Sequence, residues 1–229
     1  MSPRNVLLTR LIIASAVGAI TGALLGGSWI WLHYVCKPLT TILLLALARG
    51  ATAPVTPRYR LLICVGLVLS LAGDVFLMLP GDWFVFGLAS FLLAHLFYVV
   101  AFAPGSSAHA RLVACLAYAA IATANLVGLL PRVPAELHVP VLAYVAVLML
   151  MGALAAARGW SLRGDARLAA SARLAAIGGA LFVFSDSVLA WNRFGGGIPL
   201  APLWVLAGYY ASCWCIARSV DAGQEVAHG

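Results

Sequence analysis

Arg60-Leu-Leu-Ile-Cys-Val-Gly-Leu-Val-Leu-Ser-Leu-Ala-Gly-Asp-Val-Phe-Leu-Met-Leu79 is long and apolar enough to cross a bilayer, yet it carries an acid in its interior, Asp74. About 20 predominantly apolar residues span the hydrocarbon core. A second run, Phe182-Val-Phe-Ser-Asp-Ser-Val-Leu189, places Asp186 in the same kind of surroundings. A carboxylate at that depth costs about 2.5–3.5 kcal/mol even on the lenient insertion scale. Two of them in similar local sequence point to one shared polar site within the membrane. Paired carboxyl groups in a low-dielectric pocket are suited to acid/base chemistry.

The composition supports the membrane assignment. The 229 residues are 64% hydrophobic and 9% charged, against about 25% charged in a soluble domain. The sequence predicts an all-α, polytopic bundle of eight transmembrane helices at approximately 6–26, 29–48, 60–79, 83–102, 111–130, 139–157, 169–191 and 200–217. Residues 1–229 read as one membrane-embedded domain. Gly and Pro mark the breaks, at Gly26-Gly27, Pro54/Pro57, Pro80-Gly81, Pro104-Gly105, Pro131/Pro134 and Gly195-Gly196-Gly197. The tight links between spans one and two, and three and four, require antiparallel neighbours. The run after Arg4 and Arg10 reads as a retained first helix, not a cleaved signal peptide.

Basic residues orient the bundle. With both termini cytoplasmic, Arg4, Arg10, Arg49, Arg58, Arg60, Arg111, Arg158, Arg163, Arg167, Arg173 and Arg218 lie inside, and only Arg132 and Arg193 outside. That is a strong positive-inside bias. It accounts for the net charge of +7 and removes the case for a nucleic-acid partner. The Ala/Gly/Arg-rich composition points to a GC-rich bacterial genome, hence to a bacterial cytoplasmic membrane. Ala14, Gly18, Gly22 and Gly26 form a small-residue stripe for close helix packing. Residues 158–173 read as a solvated loop with Trp160 at the interface, and the chain from Asp221 onward as frayed. Gly73-Asp74-Val-Phe-Leu77 and Ser185-Asp186-Ser-Val-Leu189 sit four spans apart in the same direction, which suggests a four-plus-four duplication.

The polar residues gather by depth. Asp74 and Asp186 each lie six residues before a helix end, at Pro80 and Asn192, or roughly 9 Å below the outer surface. Lys37, Asn125, His95 with Tyr98, and Tyr209 with Tyr210 come from four further spans. One polar cavity in the outer half would reconcile them. Each has a plainer alternative: Lys37 snorkelling, His95 a core histidine, the tyrosines packing aromatics, Arg193 an interfacial anchor, Asp82 solvated. Asp74, His95 and Asp186 make a poor zinc set, short of nitrogen and sulfur donors, so neither metal nor cofactor is expected. The five cysteines lack zinc-site spacing and read as buried free thiols.

The segments Lys37-Pro38-Leu-Thr-Thr41, Gly73-Asp74-Val-Phe-Leu-Met78, Phe91-Leu-Leu-Ala-His95-Leu-Phe-Tyr98, Gly179-Ala-Leu-Phe-Val-Phe-Ser185-Asp186-Ser187 and Tyr209-Tyr210 resemble the YhhN-like family of membrane lysoplasmalogenases. One departure is Cys213, where the pattern calls for glutamine. The resemblance implies an eight-helix hydrolase that cleaves the vinyl-ether bond of lysoplasmalogens to a fatty aldehyde and glycerophosphocholine or glycerophosphoethanolamine, with Asp74 and Asp186 as the catalytic pair. Its partners would be a lysophospholipid, water and membrane lipids.

Vinyl ethers hydrolyse through proton transfer to carbon, an oxocarbenium-like cation and a hemiacetal, much as glycosides do with one acid and one carboxylate. From local sequence, Asp74 has the more apolar flanks and would be the acid. Asp186, with Ser185 and Ser187 as donors, would be the anion. Lys37, Arg193 and Asn192 suit the substrate phosphate. His95, Tyr98, Tyr209, Tyr210 and Asn125 would orient the aspartates or water. The rivals are a transporter of small anionic or lipidic solutes, a hydrolase of the same fold acting on another ether or ester lysolipid, and a non-catalytic lipid-binding or scaffold protein, in which the buried charge would lack a purpose.

Overall fold

The computed structural model describes residues 3–222. Eight helices follow one another with no named strand among these residues: α1 (Pro3–Leu25), α2 (Ile30–Arg49), α3 (Pro57–Met78), α4 (Phe84–Phe102), α5 (Ala108–Leu129), α6 (His138–Ser161), α7 (Ala169–Phe194) and α8 (Ala201–Arg218). Single 3-10 turns precede α2, follow α5 and precede α6. Seven helices are long and apolar enough to cross a membrane. The chain is an integral, multi-pass membrane protein.

The eighth helix differs for a reason. With 18 residues, α8 is the shortest, and it carries Tyr209, Tyr210, Ser212 and Arg218. It is wedged against α7, α1, α2 and α3. Tyr209, Tyr210 and Ser212 are buried against neighbouring protein, not lipid, so α8 does without the hydrophobicity that a lipid-facing helix needs. It still crosses the bundle. Its start, Ala201 and Pro202, lines the cavity described below. Its far end is tied to the α2–α3 loop, where Val55 N–H donates to Val220 O (2.9 Å) and Ala222 N–H to Ala53 O (2.8 Å). The Asp221 carboxylate accepts from Ala53 N–H (3.2 Å). Asp221 is therefore anchored, contrary to the frayed end expected there; residues 223–229 lie outside the described chain.

Helix contacts run α1–α2–α3–α4–α6–α7–α8 and return from α8 to α1 and α2, with α5 packed outside on α6. The antiparallel pairs α1/α2 and α3/α4 are both present. The α1 stripe is used in part. Gly22 abuts the backbone of His33 and Gly18 abuts Cys36. Ala14 is exposed, and Gly26, at φ 59°, makes the turn into α2. Arg158, expected in a solvated loop, is buried. Its Nη1 donates to Pro104 O (2.6 Å), and its guanidinium lies 5.3 Å from the Tyr59 ring. The helix α6 simply runs on to Ser161 and carries it inside. Trp160 is exposed as expected.

A Cβ at position 22 would lie 2.4 Å from His33 N, whereas one at position 18 would meet the Cys36 thiol at 2.8 Å. A thiol can turn aside and a backbone cannot. Gly22→Ala should therefore cost about 1–3 kcal/mol of unfolding stability in detergent, and Gly18→Ala less. Equal midpoints for the two variants would contradict the close α1/α2 approach.

Candidate active site

Asp74 is 1% exposed near the end of α3. Its neighbour Gly73 leaves room for the Phe91 ring of α4, which a Cβ would approach within 2.6 Å. Helix α2 brings Lys37 and, one turn later on the same face, Thr41. Thr41 Oγ1 donates to Asp74 Oδ2 (2.7 Å). Tyr209 OH of α8 donates to the same oxygen (2.7 Å). Lys37 Nζ stands 3.6 Å from Oδ1, an ion pair without a direct hydrogen bond. Two helices, α2 and α8, thus converge on the α3 carboxylate, and Oδ1 is left open to a further donor.

Asp186 has different company. Tyr144 OH of α6 donates to its Oδ2. Neither flanking serine reaches it: Ser185 Oγ donates to Val205 O (2.9 Å), and Ser187 lines the opposite, apolar side. The serine donors expected from local sequence are directed elsewhere, and a tyrosine from another helix replaces them.

Both aspartates line one cavity of about 420 Å³, together with Lys37, Ser185, Asn192, Arg193 and Tyr209. It reaches the α7–α8 end of the bundle, away from the start of α1 and the end of α8. Asp186 also lines a second, smaller and more apolar space of about 70 Å³ with Leu77, Leu129, Tyr144, Val145 and Met149. Leu77, Phe84, Phe91 and Leu189 border both spaces, so the two adjoin at Asp186. Edge-on contacts among Phe91, Phe182 and Tyr209, with centroids 5.5–6.2 Å apart, pack beside the polar cavity.

The remaining residues fall into two groups. At the rim, Arg193 Nη2 donates to both Asp82 oxygens (3.0 and 3.1 Å) and stacks 3.9 Å from the Phe84 ring. Asn192 Oδ1 accepts from Ile198 N–H (3.0 Å) and so shapes the α7–α8 turn. Asn125 lines the apolar space and accepts from Trp191 Nε1 (3.0 Å). His95, Tyr98 and Tyr210 line neither space. His95 is fully buried with both ring nitrogens unpaired, 4.5 Å from the Phe182 ring and 5.4 Å from that of Tyr144. Tyr98 reaches Ser70 (3.5 Å) and fills the space over Gly66. Tyr210 packs on Tyr209 (5.3 Å). Lys37, expected to meet a phosphate, lines the polar cavity and pairs with Asp74. Among the described residues no three His, Cys, Asp or Glu side chains form a metal-binding group. The five cysteines are free.

Thr41, Tyr144 and His33 belong to the site but were given no role from sequence. Thr41 follows Lys37 by four residues. Tyr144 is a lone hydroxyl in the aliphatic run of α6. His33, one turn before Lys37, lines the polar cavity.

The fold and cavity define a polytopic membrane protein with two intramembrane carboxyl groups on a single polar chamber. The comparisons narrow this class. The YhhN family model matches residues 32–220, and the chain belongs to that family. Human lysoplasmalogenase TMEM86A is 31% identical over 208 residues, covering 88% of this chain and 82% of its own length. Rat lysoplasmalogenase TMEM86B is 34% identical over 189 residues, covering 81% and 70%. The uncharacterized membrane protein YhhN of Escherichia coli O157:H7 is 40% identical over 73 residues, covering 32% of this chain and 34% of its own. No solved structure matches.

Removing one member of a buried ion pair strands the other, at about 3–5 kcal/mol. Lys37→Met should therefore destabilise the protein in detergent more than the double variant Lys37→Met/Asp74→Asn. A double variant less stable than the single one would show that Lys37 is not the counter-charge of Asp74.

Proposed function

We propose that this protein is a membrane hydrolase that cleaves the vinyl-ether bond of lysoplasmalogens, releasing a fatty aldehyde and glycerophosphocholine or glycerophosphoethanolamine. The observation that carries this reading is the position of Asp186 where a polar cavity meets an apolar space. A lysoplasmalogen has the same layout: a charged head, a reactive ether, then hydrocarbon. With its head toward Arg193 and Asn192 and the first carbons of its chain in the apolar space, the vinyl ether falls beside Asp186. The names of the human and rat relatives support the substrate class.

The two carboxyl groups divide the work by their partners. Asp74 has a lysine and two hydroxyl donors, the surroundings of a carboxylate. Asp186 has one tyrosine and an apolar wall, which suits a protonated acid. These roles are the reverse of those suggested by the flanking sequence. Because Tyr144 donates to Oδ2, the acidic proton of Asp186 belongs on Oδ1. Transfer of that proton to the β-carbon of the vinyl ether leaves an oxocarbenium ion, which the Asp74 carboxylate stabilises. Water then attacks the carbon attached to oxygen and gives up its proton to the Asp186 carboxylate, which is thereby re-protonated. The hemiacetal collapses to the aldehyde and the free glycerol hydroxyl, so one water is consumed and both carboxyl groups are restored.

In this scheme Lys37 holds Asp74 instead of the phosphate. Arg193 binds the phosphate at the rim, where its exposed pair with Asp82 is worth at most about 1 kcal/mol and yields readily. His95 acts only through the Tyr144 ring. The two halves are read as a duplication within one domain, since Asp74 on α3 takes a hydroxyl from α2 and Asp186 on α7 takes one from α6. The membrane is read as a bacterial cytoplasmic membrane with both chain ends inside.

Purified protein should release aldehyde from lysoplasmalogen. Asp74→Asn and Asp186→Asn should each lower kcat by about 10²–10⁴-fold; Asp186→Asn should keep its unfolding midpoint, and the Asp74→Asn loss should persist in Lys37→Met/Asp74→Asn, which leaves no stranded ammonium. Solute flux in liposomes without cleavage would identify a transporter. Preference for ester lysolipids would identify a different hydrolase. Tyr144→Phe should lower kcat about tenfold with little change in KM, the value of one hydrogen bond to an ionisable group; an unchanged kcat would remove Tyr144 from the mechanism.

A further inference from the structure

We infer that a second lipid site, for an anionic phospholipid, lies between α2 and α3 at the end of the bundle where α1 begins and α8 ends. Arg49 in the last turn of α2 and Arg60 in the first turns of α3 line the mouth of a groove of about 710 Å³. Its walls are apolar, with Leu45, Leu61, Val65 and Val68 among them. From Arg60 to Val68 the groove follows α3 for about 12 Å, most of one leaflet of the hydrocarbon core. Catalysis as read above takes place at the opposite end, so this site neither depends on the hydrolase reading nor is filled by its substrate.

Two independent features identify the occupant. The first is the charge. Among the described residues the ion pairs are Lys37–Asp74 and Arg193–Asp82, and no acidic side chain lines the groove. Two guanidinium groups therefore face the interface without a carboxylate. The second is the shape. A groove that opens sideways into the bilayer must be filled by hydrocarbon, because an empty gap forfeits the dispersion contacts of its walls. Hydrocarbon below and an anion above is a phospholipid of the phosphatidylglycerol type, the kind of ligand that basic pockets between transmembrane helices select.

Native mass spectrometry of the full chain, with phosphatidylglycerol and phosphatidylcholine of matched acyl chains, tests this. The protein should retain phosphatidylglycerol preferentially. Arg49→Gln/Arg60→Gln should weaken that retention about thirtyfold, two basic residues at roughly fivefold each. Arg58→Gln, exposed at the same end but outside the groove, should change it little. Val65→Trp, which fills the groove and leaves both guanidiniums, should also release the lipid; Leu61→Trp serves if that variant does not fold. Equal retention of the two lipids, an Arg58→Gln effect as large as that of the pair, or equal binding of glycerol phosphate without acyl chains would overturn the site. So would a change of oligomeric mass on Val65→Trp, which would make a second copy of the chain the occupant.

Discussion

The burial of the Asp74 carboxylate constrains the whole bundle. An ion moved from water into a low-dielectric interior loses several kcal/mol of solvation even after relaxation. Here the loss is offset by Lys37 and Thr41 from α2 and by Tyr209 from α8. Those partners must stand at fixed depths, so the charge sets the register of α2, α3 and α8 against one another. Hydrophobic contact in lipid supplies no such register, because the tails are as apolar as the helix faces. The inward position of α8, and its tolerance of tyrosines and serine, follow from the same requirement.

The second aspartate has surroundings unlike those of the first. Its hydrogen-bonding partner comes from α6, across the ring from α2, and one wall of its surroundings is hydrocarbon. Two identical side chains thus sit on one chamber in unlike states of solvation. A pair of carboxyl groups becomes an acid and a base by such a difference in surroundings, whatever their separation along the chain.

Much of this was legible beforehand, and the failures have physical causes. Apolar length and the placement of Gly and Pro located eight helices to within a few residues. Charge inside apolar runs located Asp74 and Asp186. What local sequence could not convey is which neighbour satisfies a buried polar group. Ser185 and Ser187 flank Asp186, yet a helix turns adjacent residues apart, and Ser185 bonds the α8 backbone instead. Tyr144 is 42 positions away and supplies the bond. The ion pair of Lys37 with Asp74 was equally hidden, because its carboxylate lies on another helix. Arg158 looked solvated because arginines usually are; a carbonyl, Pro104 O, and the face of Tyr59 take it inside.

The bond from Tyr209 to Asp74 spans 135 positions of the chain, and this has a consequence for biogenesis. Helix α3 leaves the ribosome and enters the membrane well before α8 has been translated. During that interval Asp74 lacks one of its two hydroxyl donors, and the chamber lacks a wall. The hydrogen-bond set of Asp74 is therefore complete only once α8 is laid in, and a chain truncated before α8 leaves that carboxylate one donor short.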